Sequence, residues 1–140
     1  MLFDTDVLIW CFKGNENAAK RIDSDSGERL LSIVSYMELF QGVRNSQEKK
    51  LIHSFLSDFD FTVLPLSENI GKRASIYIEE YALKQGIQMA DALIAATAIE
   101  NGTELCTSNY TGSNAWEACE LEDCVDFFFV ILVLNYSDIL

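Results

Sequence analysis

The sequence is poor in the residues that break or link folded segments. One proline and seven glycines among 140 residues give no Pro/Gly-rich linker, which argues for one domain spanning residues 1–140. The four cysteines contain no CxxC pair, which argues against a zinc site. Free thiols of this kind fit a reducing compartment, so we expect a cytoplasmic protein.

Long hydrophobic runs are also absent. The longest one, residues 127–134, is far shorter than the ~20 residues that a membrane helix needs. Asp4 and Asp6 interrupt the apolar start and no basic region precedes it, so we expect neither a signal peptide nor a membrane partner.

Positive charge is missing from the last part of the chain. All ten Lys and Arg residues occur by Lys84, where 13 acids nearly balance them, whereas the remaining 56 residues carry nine acids and no Lys or Arg. The formal net charge of −12 seems to argue against a nucleic-acid partner. Because the first part is nearly balanced and a bound metal would neutralise some acids, acidity alone does not exclude RNA.

What the sequence does contain is an alternation of β-rich and helical segments. The pattern predicts strands at the start of the chain and at residues 29–34, 61–65 and 104–107, with helices ending near 13, and at 15–25, 36–44, about 46–59, 67–86 and 89–100. We therefore expect an α/β fold, with a parallel sheet of four to five strands sandwiched between helices. The order of the strands is not readable from the sequence.

Four acidic residues lie where apolar runs meet a turn or open a helix. They are Asp4 and Asp6 in LFDTDVLI, Glu38 in SIVSYMELFQG, and Asp91 in GIQMADALIAATAI. Such positions project side chains into the crevice at one edge of an α/β sheet. Carboxylates in one crevice repel each other unless a cation joins them, so the pattern suggests a divalent-metal site and hydrolysis of a phosphodiester.

Each acid also has a structural interpretation. Asp4 or Asp6 would serve as a helix N-cap, but capping accounts for only one of the two. Ser35 and Glu38 have the spacing of a capping box, so this segment alone favours structure over function. Asp91 would stabilise a helix dipole, yet its apolar neighbours demand a partner or a crevice for the charge, which favours function. The single histidine, His53, has no nearby catalytic partner and is interpreted as surface or core.

Taken together, these segments resemble the PIN domain, the nuclease fold of VapC-type toxins in toxin–antitoxin pairs. The resemblance covers about residues 1–110 and rests on LFDTDVLIW, SYMELFQGVRN, LPLSENIGKRASIYIEEYALKQG and ADALIAATAIENGTELCTSN, in that order.

The resemblance implies Mg²⁺- or Mn²⁺-dependent cleavage of RNA. Asp4, Glu38 and Asp91 fall on the family's acidic, metal-holding positions, and Asn109 falls on its fourth catalytic position. The resemblance also implies supporting roles for the polar residues that line the same site: Thr5, Asp6 and Thr107. For Glu38 this implication overrides the capping interpretation. A cognate antitoxin and a homodimer are the partners to expect.

After Asn109 the sequence departs from the family. Residues 111–140 form an atypical tail without Lys or Arg that ends in a dense apolar run. A buried last strand is one interpretation of this tail, and a shifted reading frame or a fused sequence is another.

Two other functions stay open at this stage. One is a catalytically degenerate PIN domain that binds an antitoxin or another partner, since fold alone does not fix function. The other is an aspartate-nucleophile phosphatase, suggested by Asp-x-Asp after a strand. That chemistry also needs a late lysine, which the chain lacks after Lys84.

Overall fold

The computed structural model describes residues 1–107. In chain order the elements are β1 (Leu2–Phe3), α1 (Thr5–Phe12), α2 (Glu16–Ser24), β2 (Leu30–Ser32), α3 (Ile33–Gln41), α4 (Ser46–Asp58), β3 (Thr62–Leu64), α5 (Glu68–Gln85), α6 (Met89–Glu100) and β4 (Leu105–Cys106).

The strands form one parallel sheet in the order β3-β2-β1-β4. β1 is central and pairs with both β2 and β4, so that Leu2 lies between Leu30 and Leu105. Parallel strands need helical crossovers, and the alternation in the sequence supplies them. The expected α/β fold with a sheet of four to five parallel strands between helices is confirmed.

Successive strand residues face opposite layers of helices because side chains alternate along a strand. Phe3 of β1 packs in a cluster with Leu31 of β2 and with apolar residues of α1, α2 and α4. Leu2 packs in a second cluster with residues of α6, and the Tyr77 ring of α5 lies against it. Every described residue of β1 and β2 is buried, so both faces of the sheet are covered.

Several helix ends agree with the sequence prediction. Asp4 caps α1, Ser67 caps α5, and α6 spans the predicted residues 89–100. Gly86 ends α5 in the left-handed conformation with φ of 68°, a geometry that residues with a Cβ rarely adopt.

The start of α3 was predicted wrongly. Ser32 is the N-cap, and its side chain accepts a hydrogen bond from the Val34 N–H, so the helix begins three residues earlier than predicted. Ser35 lies inside the helix, and the predicted capping box between Ser35 and Glu38 does not form. The cause is the short β2, which ends at Ser32 and not at Val34. Similarly, Asn45 caps α4 in place of Ser46.

No helix within residues 1–107 is both long and apolar enough to cross a membrane. Asn109 and the atypical tail at 111–140 lie outside the described residues, so the predictions made for them stay predictions.

Candidate acidic active site

Asp4 lies at the carboxyl end of the central strand, directly before α1. Its side chain is only 7% exposed. One carboxylate oxygen accepts the Thr5 N–H at 2.6 Å, and the other accepts the Thr107 hydroxyl at 2.8 Å. Asp4 therefore caps α1 while its carboxylate is held at the edge of the sheet next to the end of β4.

The surroundings of Asp4 disfavour its charge. Burial raises its pKa from 3.8 to about 7, and the hydrogen bond from Thr107 opposes this rise. The negative charges of Asp6 and Asp91 raise the pKa of Asp4 further. A buried carboxylate with acidic neighbours is the arrangement that a bound cation would stabilise.

Glu38 reaches the same crevice from α3. It is half-buried, and its Oε2 accepts a hydrogen bond from the Thr5 hydroxyl at 2.5 Å. The two residues are 33 positions apart in the chain. The function of Glu38 as a crevice acid, which the local sequence disfavoured, is thus consistent with its placement, whereas the capping role is not.

Asp91 enters from the first turn of α6. Its carboxylate accepts the backbone N–H of Gln88 at 3.3 Å, within a capping box formed by Gln88 and Asp91. Burial raises the pKa of Asp91, the Gln88 N–H opposes that rise, and the charges of Glu38 and Asp6 add to it. Asp91 therefore combines a capping role with a place among the crevice acids.

The four acids influence each other's charge but are not gathered around one point. Within residues 1–107, no three Asp, Glu, His or Cys side chains are close enough to hold one metal ion as they stand. Asp6 is half-buried and faces both Asp4 and Asp91 electrostatically. Thr5 and Thr107 donate hydrogen bonds to the acids, in keeping with the expected supporting positions.

The donors in this crevice are all oxygen atoms. Carboxylates and hydroxyls suit hard cations such as Mg²⁺ and Mn²⁺, and soft thiolate ligands are not needed. The donor set and the mutual repulsion of Asp4, Asp6 and Asp91 fit such an ion, although Glu38 would have to adjust to share it.

An open groove of about 610 Å³ lies beside the crevice, between α1, α3 and α4. Its wall is mainly apolar and includes Ile9, Phe12, Leu39, Val43, Leu51 and Ile52. Lys13, Arg44 and Glu48 also line it, and Arg44 is paired with Glu48 at 2.6 Å. Glu38 belongs to both the groove and the crevice, so the two are continuous.

The sequence analysis missed Gln88 as a partner of Asp91. The signal was present as a polar residue three positions before an acid at a helix start, the spacing of a capping box. Gln is not among the favoured N-cap residues, whereas Ser35 before Glu38 matches the usual pattern, which drew the prediction to the wrong helix.

The fold and the crevice together define an α/β domain with acids at the carboxyl edge of a parallel sheet. The model of the PIN domain family matches residues 1–111, and the chain belongs to that family. PIN domains are typically nucleases.

Solved structures with the same fold include three toxin–antitoxin assemblies. The chain is similar to a toxin–antitoxin complex from Klebsiella pneumoniae, with a TM-score of 0.67 and 27% identity over 81% of this chain and 92% of that one. It is also similar to FitAcB from Neisseria gonorrhoeae, with a TM-score of 0.62 and 27% identity over 83% and 92% of the two chains.

The third structure is VapBC2 from Rickettsia felis bound to a DNA fragment from its promoter. Its TM-score is 0.65 at 18% identity over 79% of this chain and 87% of that one, which is a likeness of fold alone. No curated protein matches the chain.

Proposed function

We propose that this protein is a divalent-metal-dependent endoribonuclease and the toxin of a toxin–antitoxin pair. One observation carries the proposal: Asp4, Glu38 and Asp91 converge on one sheet edge from α1, α3 and α6, and their charges raise each other's pKa values. Family membership and the likeness to toxin–antitoxin assemblies support a nuclease toxin in general.

In the proposed mechanism, Asp4, Glu38 and Asp91 would hold Mg²⁺ or Mn²⁺, and Asn109 would supply a further catalytic group. When bound, the ion would lower the pKa of the attacking water and stabilise charge on the leaving oxygen. Asp6 raises the local negative charge, and Thr107 keeps the Asp4 carboxylate turned to the crevice. The reaction needs no nucleophilic side chain.

The experiment is cleavage of structured RNA by the purified, antitoxin-free chain with Mg²⁺ or Mn²⁺. We expect cleavage by the unmodified chain, and loss of about 100-fold or more in Asp4→Asn and Asp91→Asn, because each would remove a metal-holding charge. Asp58→Asn, an exposed change at the end of α4, is the matched control and should cleave normally. Cleavage that survives in both site variants would reject this site.

The second candidate is a catalytically degenerate PIN domain that only binds a partner. It is favoured by the separation of the acids, since no three of them within residues 1–107 are within reach of one ion. Folded, antitoxin-free protein that cleaves no RNA in the same assay would support this candidate.

We further propose that an antitoxin binds in the groove between α1, α3 and α4. An apolar segment would pack against its wall, and an Arg of the antitoxin would pair with the acids next to Glu38. A homodimer and a cytoplasmic location complete the proposal. Sedimentation of the isolated chain tests the dimer, and a single-chain mass would reject it.

A further inference from the structure

Thr5 contacts two of the crevice acids at once, through two different groups. Its backbone N–H donates to Asp4 at 2.6 Å, and its hydroxyl donates to Glu38 at 2.5 Å. Asp4 and Glu38 come from β1's end and from α3, so these two bonds join separate parts of the chain. No other residue within the described part donates hydrogen bonds to two of the crevice acids among the bonds found there.

The surroundings of Thr5 make this link rigid. Thr5 is 5% exposed and is the first residue of α1, where its backbone is fixed by the helix. A β-branched side chain in a helix has few χ1 rotamers, so the hydroxyl has little freedom to leave Glu38. Hydrogen bonds to a carboxylate are stronger than those between neutral groups.

Glu38 depends on this bond more than the other acids depend on theirs. It is half-buried, has a long side chain, and is pushed away by the charge of Asp91. Without a donor, its carboxylate would be free to turn towards the groove that it also lines. Asp4 and Asp91, by contrast, are tied to backbone N–H groups at their own helix starts.

We propose that Thr5 is a positioning residue that sets the separation of Asp4 and Glu38 by donating one hydrogen bond to each. This inference rests on the proposed metal-dependent function. Loss of the hydroxyl would leave Asp4 in place and release Glu38, which lowers the affinity of the crevice for the cation. Residues that orient metal ligands in this way typically change metal affinity or activity by about 10- to 100-fold when replaced.

Thr5→Val and Thr5→Ser are the test variants. Valine keeps the shape and the backbone N–H but removes the hydroxyl, whereas serine keeps both donors. Titration with Mn²⁺ should give an affinity about 10-fold or more weaker for Thr5→Val and within about threefold of the unmodified chain for Thr5→Ser. Equal affinity in Thr5→Val and the unmodified chain would overturn the proposal.

Thr97→Val is the matched control. Thr97 is fully buried in α6, and its hydroxyl donates to the Leu93 carbonyl at 2.7 Å, away from the acids. Its replacement removes the same hydroxyl from a helix and should leave Mn²⁺ affinity unchanged. An equal loss of affinity in Thr97→Val and Thr5→Val would mean a general packing effect and would overturn the proposal.

A double-mutant cycle in metal-free protein separates this inference from the proposed function. With Thr5→Val, Glu38→Gln and the double variant, the unfolding constants should deviate from independence by about fivefold or more, because the two side chains are in contact. Independent effects would overturn the link between Thr5 and Glu38. Coupling in a protein that neither binds Mn²⁺ nor cleaves RNA would reject the function while leaving the link in place.

Discussion

Asp4 is the residue with the least favourable environment for a charge in this site. It is nearly buried at the end of the central strand, and its pKa is raised to about 7 by burial and by acidic neighbours. In a chain without bound metal, an ionised Asp4 therefore destabilises the fold. A site acid that costs stability is common where function, and not stability, sets the arrangement.

The first prediction concerns the stability of Asp4→Asn without metal. A raised folded-state pKa means that the contribution of Asp4 to stability is present below its unfolded value of 3.8 and is lost as the pH rises through about 7. Asparagine does not ionise and can keep both hydrogen bonds. We expect Asp4→Asn to be more stable than the unmodified chain at pH 8, by about 2–4 kcal/mol, and nearly equal at pH 4.

Urea unfolding at the two pH values measures this difference. Asp58→Asn, an exposed change, serves as the control and should show no comparable gain. A variant Asp4→Asn that is no more stable than the unmodified chain at pH 8 would contradict the unfavourable burial of the charge.

Asp91 gives a second prediction at this scale, because it has two roles. Its carboxylate accepts the Gln88 N–H at the start of α6 and also faces the crevice. Asparagine keeps an acceptor for that N–H, whereas alanine does not. Asp91→Asn and Asp91→Ala should both lose RNA cleavage, and Asp91→Ala should be less stable than Asp91→Asn by about 1 kcal/mol.

Thermal unfolding of the two Asp91 variants, run side by side, compares them without reference to the charge. If Asp91→Ala were as stable as Asp91→Asn, the capping contribution of this side chain would be refuted.

At the scale of elements, the start of α3 decides where Glu38 points. Ser32 at the end of β2 caps the helix, so the first turn contains Ile33, Val34 and Ser35, and Glu38 falls on the side that meets Thr5. Ser35 is fully buried, and its hydroxyl finds no hydrogen-bond partner among residues 1–107. The two serines thus make opposite contributions to stability.

This difference gives the third prediction. Ser32→Ala should destabilise the chain by about 1–2 kcal/mol because it removes a helix cap. Ser35→Ala should be neutral or stabilising because it removes a buried polar group without a partner. Urea unfolding measures both, and a larger loss in Ser35→Ala than in Ser32→Ala would restore the capping role that the sequence suggested for Ser35.

The same elements explain how far the sequence can predict this molecule. Helices α5 and α6 were predictable because Ser67, Gly86 and Asn101 mark their ends locally. The start of α3 was not, because two serines in SIVS compete as caps and the length of β2 decides between them. Strand order follows from which crossovers pack on which face, and no local pattern encodes that.

The site follows the same division. Asp4 and Asp91 could be chosen from their own segments, since each joins an apolar run to a helix start. Glu38 could not, because the contact that fixes it is with Thr5, 33 residues away. The family resemblance supplied what the local physics lacked. Asn109 remains a prediction from that resemblance.

At the scale of the whole molecule, the excess of negative charge makes the crevice a site that a cation should stabilise. The net charge is −12, and four acids face one sheet edge. A ligand that binds only the folded state raises its stability in proportion to the occupancy of the site. We expect millimolar Mn²⁺ to raise the melting temperature of the unmodified chain by several degrees and that of Asp4→Asn by much less, as measured by a thermal melt. An equal rise in both would indicate binding elsewhere.

The central claim is that Asp4, Glu38 and Asp91 hold one divalent cation between them. Calorimetric titration of Mn²⁺ into the unmodified chain, Asp4→Asn, Glu38→Gln and Asp91→Asn tests it most directly. The account predicts a specific binding event in the unmodified chain that each substitution weakens by about 10-fold or more. Binding of equal affinity in all four proteins, or no specific binding in the unmodified chain, would contradict it.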